Sequence, residues 1–101
     1  MDSSNLCNIG KLPREGELVE ASLGDRTFCV ARLKGKAAVL DNECPHHGAP
    51  LGQGVLRDGK VVCPWHAYGF DLETGACDQD PDLSVRVFDA TVEGDDVLVR
   101  L

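Results

Sequence analysis

No stretch of this chain approaches the roughly 20 consecutive apolar residues that a membrane-crossing helix needs, so no helical anchor is expected. The opening segment, MDSSNLCNIGK, carries an acid at Asp2 and has no apolar centre of the kind a secretory leader shows. The cytoplasm is therefore the expected location. Basic residues are few: 10 Lys and Arg stand against 17 Asp and Glu, a formal charge of −7. That balance repels nucleic-acid phosphates and suits docking on a basic protein surface. Neither nucleic acid nor membrane is an expected partner. No window holds a 3.6-residue apolar period for long, which leaves little room for helix. No repeat, low-complexity segment or linker breaks the 101 residues, so they read as a single domain, 1–101. No Gly-rich dinucleotide fingerprint is present, which argues against hydride chemistry on this chain. The five cysteines are an odd number and cannot all pair as disulfides. In a reducing compartment, cysteines at ligand-like spacing suggest metal.

What remains is β pattern. ELVEAS (17–22), RTFCVARL (26–33) and AAVLD (37–41) are short runs rich in β-branched and aromatic residues, parted by the turn signals LGD and KGK. RDGK (57–60) carries Asp-Gly between VL and VVC, a strong hairpin signal. SVRVFDATV (84–92) and DVLVRL (96–101) flank EGD as a last hairpin. The expected fold is all-β.

Two segments interrupt that pattern. ECPHHGAPLGQG (43–54) holds Cys44, His46 and His47, and VCPWHAYGF (62–70) holds Cys63 and His66. Both fall in loops that follow strands, at the tips of neighbouring turns, where they can face each other. Two registers are open. Cys44-x-x-His47 with Cys63-x-x-His66 is a tetrahedral zinc pattern of two Cys and two His. Cys44-x-His46 with Cys63-x-x-His66 is less regular, and suits a two-iron centre whose distinct ends each take two ligands. Soft thiolates and imidazoles both bind iron.

The second register is where a family likeness enters. CPHHG, the sixteen residues between His46 and Cys63, CPWH and the trailing GFDLETG (69–75) resemble the Rieske family of [2Fe-2S] proteins. The resemblance implies an antiparallel β-sandwich base domain with a cluster-binding subdomain inserted at about 43–70. It implies one cluster per chain, with Cys44 and Cys63 on one iron and His46 and His66 on the other. His47 is then a surface residue or a neighbour of the site.

A cluster with two thiolates and two neutral imidazoles is less negative than one with four thiolates, so it accepts an electron more readily. Gly48 and Gly69 lack side chains, so their N–H groups are expected to approach sulfur, and Pro45 and Pro64 stiffen the loops. Respiratory members of the family carry an extra loop disulfide; Ala49 and Trp65 stand at those positions here. They also place two hydroxyl donors beyond the last ligand, where this chain has Tyr68 and Phe70. Fewer donors imply the low end of the Rieske potential range, roughly −150 mV. Trp65 is expected to shield the site or pack on the base domain, with docking as its alternative role. Cys29 reads as a small core residue, Cys77 lies close behind the second loop, and DQDPD (78–82) reads as a solvated acidic loop.

The function implied by the resemblance is that of a soluble ferredoxin, a one-electron carrier and not itself an enzyme. It would take electrons from a flavoprotein reductase and pass them to a terminal oxygenase. Three histidines leave only one beyond the cluster, too few for the mononuclear iron site of the oxygenases themselves. Two alternatives stand beside this reading. One is a small subunit bound to the large subunit of an assimilatory nitrite reductase, and the other is a zinc-stabilised interaction module without redox function.

Overall fold

The computed structural model describes residues 6–45, 48–65 and 68–100. Among the described residues, nine strands run in the order β1 (Leu6–Lys11), β2 (Leu18–Leu23), β3 (Arg26–Leu33), β4 (Lys36–Asp41), β5 (Val55–Arg57), β6 (Lys60–Val62), β7 (Gly69–Asp71), β8 (Val87–Glu93) and β9 (Asp96–Arg100). Among the described residues the helical content is one short 3-10 turn, Leu51–Gln53. The expected all-β architecture is the one observed. All strand pairs are antiparallel, in a six-stranded sheet ordered β1-β9-β8-β4-β3-β2 and a three-stranded sheet ordered β5-β6-β7. The large sheet curls until its edge strands β1 and β2 meet. The chain leaves this sheet after β4 and re-enters it at β8, and the small sheet is built from the residues between.

The central strands explain the continuous apolar run of β3. Side chains alternate across a strand, so a strand covered on one face shows alternation and a strand covered on both does not. Phe28 and Val30 of β3 and Val39 of β4 point into the curl, where they pack with Ile9, Phe88, Val97 and Val99. Phe28 and Phe88 meet edge to face at 5.2 Å. Cys29 and Ala31 of β3 and Leu40 of β4 point the other way, into a second core shared with the small sheet. There Cys29 is fully buried, and burial pushes its thiol up to about 12. It is the small core residue that the sequence suggested.

The Asp-Gly hairpin forms as expected. Asp58 and Gly59 both adopt positive φ, 54° and 78°, the left-handed pair that a type I′ turn needs. Lys34 and Gly35 do the same between β3 and β4, and the Glu15 carboxylate accepts both of their N–H groups. These bonds hold the Glu15 carboxyl below its usual range.

Two strands and one boundary differ from expectation. β1 pairs with β9 through a register shift between Asn8 and Gly10, so its side chains do not keep one alternation. β7 is three residues long and has no apolar run of its own. Ser84–Arg86 is not part of β8; Ser84 makes an isolated bridge to Ala76 instead. The seam between β4 and β8 is short, with two paired positions against six between β3 and β4.

Candidate metal centre

Both cysteine loops are closed in the same way. Cys44 follows β4, and its N–H donates to the Ala49 carbonyl at 2.9 Å. Cys63 follows β6, and its N–H donates to the Tyr68 carbonyl at 2.8 Å. Each cysteine thus reaches five residues ahead and bends its loop back, with a proline next in sequence. In the first loop Gly48, at φ 75°, also donates to the Cys44 carbonyl at 2.7 Å. The first loop then enters the 3-10 turn through Pro50; the second enters β7, where Val62 pairs with Gly69.

The loops carry both thiols inward. Cys44 is 1% exposed and Cys63 3%, and both belong to the core shared with Ala49, Leu51, Val61, Phe70 and Cys77. All five cysteines are described, and none is joined in a disulfide. Cys77 therefore does lie in the apolar surroundings of the two loop cysteines, as its position suggested. Cys7 is half-buried on β1 and packs at the edge of the other core.

His46, His47 and His66 lie outside the described residues. Among the described residues no three His, Cys, Asp or Glu side chains converge on one point. The structure thus brings Cys44 and Cys63 together in one buried cluster, and the histidine half of the expected ligand set rests on sequence. The residues present fit a two-iron, two-sulfide group. Two soft donors, unoxidised and shielded from solvent, stand at the bases of matching loops, and His46 and His66 follow them in sequence.

Two expectations need correction. The N–H groups of Gly48 and Gly69 do not turn toward sulfur. That of Gly48 closes its own loop on the Cys44 carbonyl, and that of Gly69 donates to Gln79 Oε1 at 2.8 Å. Each amide is taken by a local acceptor, the Cys44 carbonyl or the Gln79 side chain, because backbone N–H groups must find a partner. Trp65 joins neither core and is 60% exposed. The acidic loop is solvated as expected: Asp78, Gln79, Pro81 and Asp82 are exposed, with Asp78 paired to Lys60 at 2.7 Å and Asp80 accepting the Asp82 N–H.

Sequence reasoning also missed two carboxamides. Asn42 accepts the Gly52 N–H at 2.7 Å, and Gln79 holds Gly69. An Asn between a strand and a ligand loop was the available signal for the first; nothing in the sequence pointed to the second.

The Rieske [2Fe-2S] domain family model matches residues 3–89. The chain is 36% identical over 96 residues to human (Homo sapiens) apoptosis-inducing factor 3, covering 94% of this chain and 16% of that protein. It thus spans about a sixth of that longer relative. It is 31% identical over 102 residues to the ferredoxin component of biphenyl 2,3-dioxygenase from Rhodococcus jostii (strain RHA1), covering 100% of this chain and 94% of that one. Among solved structures, the ferredoxin of carbazole 1,9a-dioxygenase from Nocardioides aromaticivorans IC177 superposes with a TM-score of 0.86 at 27% identity, over 96% of this chain and 98% of that chain. A structure described as an NADH-dependent nitrite reductase small subunit from Mycobacterium tuberculosis superposes with a TM-score of 0.84 at 26% identity, over 95% and 94%.

Proposed function

The chain belongs to the Rieske [2Fe-2S] domain family, and from that premise we propose that it is a one-electron carrier serving a reductase and a terminal oxygenase. Cys44 and Cys63 hold one iron as thiolates, and His46 and His66 hold the other, in one cluster per chain. The ligand loops and the small sheet, about 43–70, form the cluster-binding part of a single domain, 1–101. When bound, such a cluster supplies one reversible electron.

The remaining work belongs to the chain. The two five-residue closures hold the cysteine sulfurs inward, and Leu51, Phe70 and Ala49, all fully buried, keep water from that side. His46 and His66 follow these cysteines in sequence, and electrons are proposed to enter and leave on the histidine side of the cluster. Exposed Trp65 and Pro64 offer an apolar contact there, and the excess of acidic residues favours partners with a basic rim. A flavoprotein reductase is the proposed donor, an oxygenase the proposed acceptor, and the cytoplasm the proposed compartment. The chain itself is proposed to catalyse no substrate reaction.

The observation that carries this reading is the burial of Cys44 and Cys63 in one cluster, at the bases of two identically closed loops. The test is the iron, acid-labile sulfide and zinc content of freshly purified protein. About two irons and two sulfides per chain are expected. Stoichiometric zinc without sulfide would overturn the reading and favour the interaction module. A second reading, the small subunit of a nitrite reductase, draws support from the solved structure of that description with nearly the same length. Permanent co-purification with a large subunit would select it, and redox-dependent transient binding would select the free carrier.

A further inference from the structure

Asn42 is the one buried polar or charged residue among those described, 9% exposed, and it sits two residues before Cys44. A buried carboxamide is costly unless every group it presents is satisfied. Here two contacts tie the entry of the first loop to its exit, and a third ties it to β2. Its main-chain oxygen accepts the Leu51 N–H at 2.7 Å, and its Oδ1 accepts the Gly52 N–H at 2.7 Å. Its Nδ2 donates to Glu20 Oε2 at 2.7 Å, while Gln53 Nε2 donates to the other Glu20 oxygen at 3.3 Å. Entry and exit of the loop, residues 42 and 51–53, therefore meet on one carboxylate of edge strand β2. The pieces are pressed together: a Cβ on Gly52 would overlap Glu20 Cγ and stand 2.9 Å from Asn42 Oδ1.

The second loop does not need such a device, because it is flanked by paired strands, β6 and β7. The first is flanked by a single bridge, Glu43 to Pro50. Beyond that bridge its described bonds, Cys44 to Ala49 and Gly48 to Cys44, are internal to the loop and do not tie it to either sheet. We propose that Asn42, oriented by Glu20, is the positioning residue that fixes the Cys44 loop on β2 and so sets where Cys44 stands relative to Cys63. This rests on the reading of Cys44 as a cluster ligand. Only a carboxamide fits the place as built, since it must accept from Gly52 and donate to Glu20 at once. An aspartate there would set two carboxylates against each other.

That polarity supplies the test. Exchanging the donor and acceptor, N42D with E20Q, rebuilds the contact in reverse at unchanged net charge. The new amide on β2 then donates to the new carboxylate at the loop entry and still accepts from Gln53. Wild type, N42D, E20Q and the double variant are purified as holoprotein. Three quantities are compared: iron release to a ferrous chelator, the visible circular dichroism spectrum and the midpoint potential. N42D is expected to release iron about tenfold faster, the scale of a broken buried hydrogen bond to a charged group, with a changed spectrum and a shifted potential. E20Q alone is expected to stay within about threefold, because its amide can rotate. The double variant is expected to return within about twofold of wild type and to recover its spectrum and potential. If N42D does not fold, recovery of a loaded double variant still supports the proposal. An N42D protein indistinguishable from wild type, or a double variant no better than N42D, overturns it while leaving the carrier reading intact. A wild type without iron and sulfide overturns both.

Discussion

Phe70 places an apolar ring, fully buried, where a hydroxyl could have donated, and the Gly48 and Gly69 amides donate to the Cys44 carbonyl and to Gln79 Oε1. Each missing donor leaves the added negative charge of the reduced state less stabilised. The midpoint potential is therefore expected at the low end of the Rieske range, roughly −150 mV, by redox titration at pH 7; a positive value would contradict it. Asp71 shows a second effect of single bonds. Its Oδ1 accepts the N–H groups of Glu73 at 2.7 Å and Thr74 at 3.0 Å, and these hold its carboxyl below the usual range. A carboxyl lowered on folding stabilises the fold above its ordinary value and loses that contribution as pH falls through the lowered one. Asp71→Ala is expected to lower the thermal midpoint at pH 7 and to flatten its fall as the medium is acidified below the ordinary carboxyl range of about pH 4. Parallel pH dependence in variant and wild type would contradict this.

Strands β3 and β4 are covered on both faces, and their neighbouring residues serve different cores. Val39 faces the curl of the large sheet, and Leu40 faces the core that holds Cys44 and Cys63. Leu40→Ala is expected to cost about 2–5 kcal/mol in chemical denaturation and to alter the visible spectrum of the holoprotein. Val39→Ala is expected to cost roughly 2–3 kcal/mol and to leave that spectrum unchanged. Equal spectral effects would show that the two cores are not independent. The sequence showed β3 as a strand, but its two-faced burial rests on FCVA (28–31), the buried middle of RTFCVARL, where neither side meets water. The hairpin at Asp58–Gly59 was legible, since few dipeptides tolerate two left-handed residues. β1 was not, because Asn8 and Gly10 shift its register and erase the period. β7 was not, because its three residues are held by β6 and by Gln79 rather than by their own character. The cysteines of the site were legible from spacing alone. Asn42 was hidden because one polar residue has no period, and its partner Glu20 lies 22 positions away.

Over the whole molecule, 17 acids against 10 bases set a negative field around a tip whose exposed apolar residue is Trp65. A field of that kind steers encounter more than it holds a complex together, and salt screens it within about 10 Å at 0.1 M. Association with the electron acceptor is expected to slow at least several-fold between about 20 mM and 300 mM salt, followed by stopped-flow reduction of the acceptor. Trp65→Ala is expected to raise the dissociation rate more than it lowers the association rate; the reverse pattern would place the contact elsewhere. The two cores also share a wall one strand thick. Interiors are packed too densely to absorb added volume silently. Bulk added to β3 or β4 on one side must therefore be compensated on that side or transmitted through the backbone to the other. Positions 28 to 31 and 38 to 40 should accordingly drift together as such chains diverge, so that the history of the redox pocket is partly written in residues that never touch it.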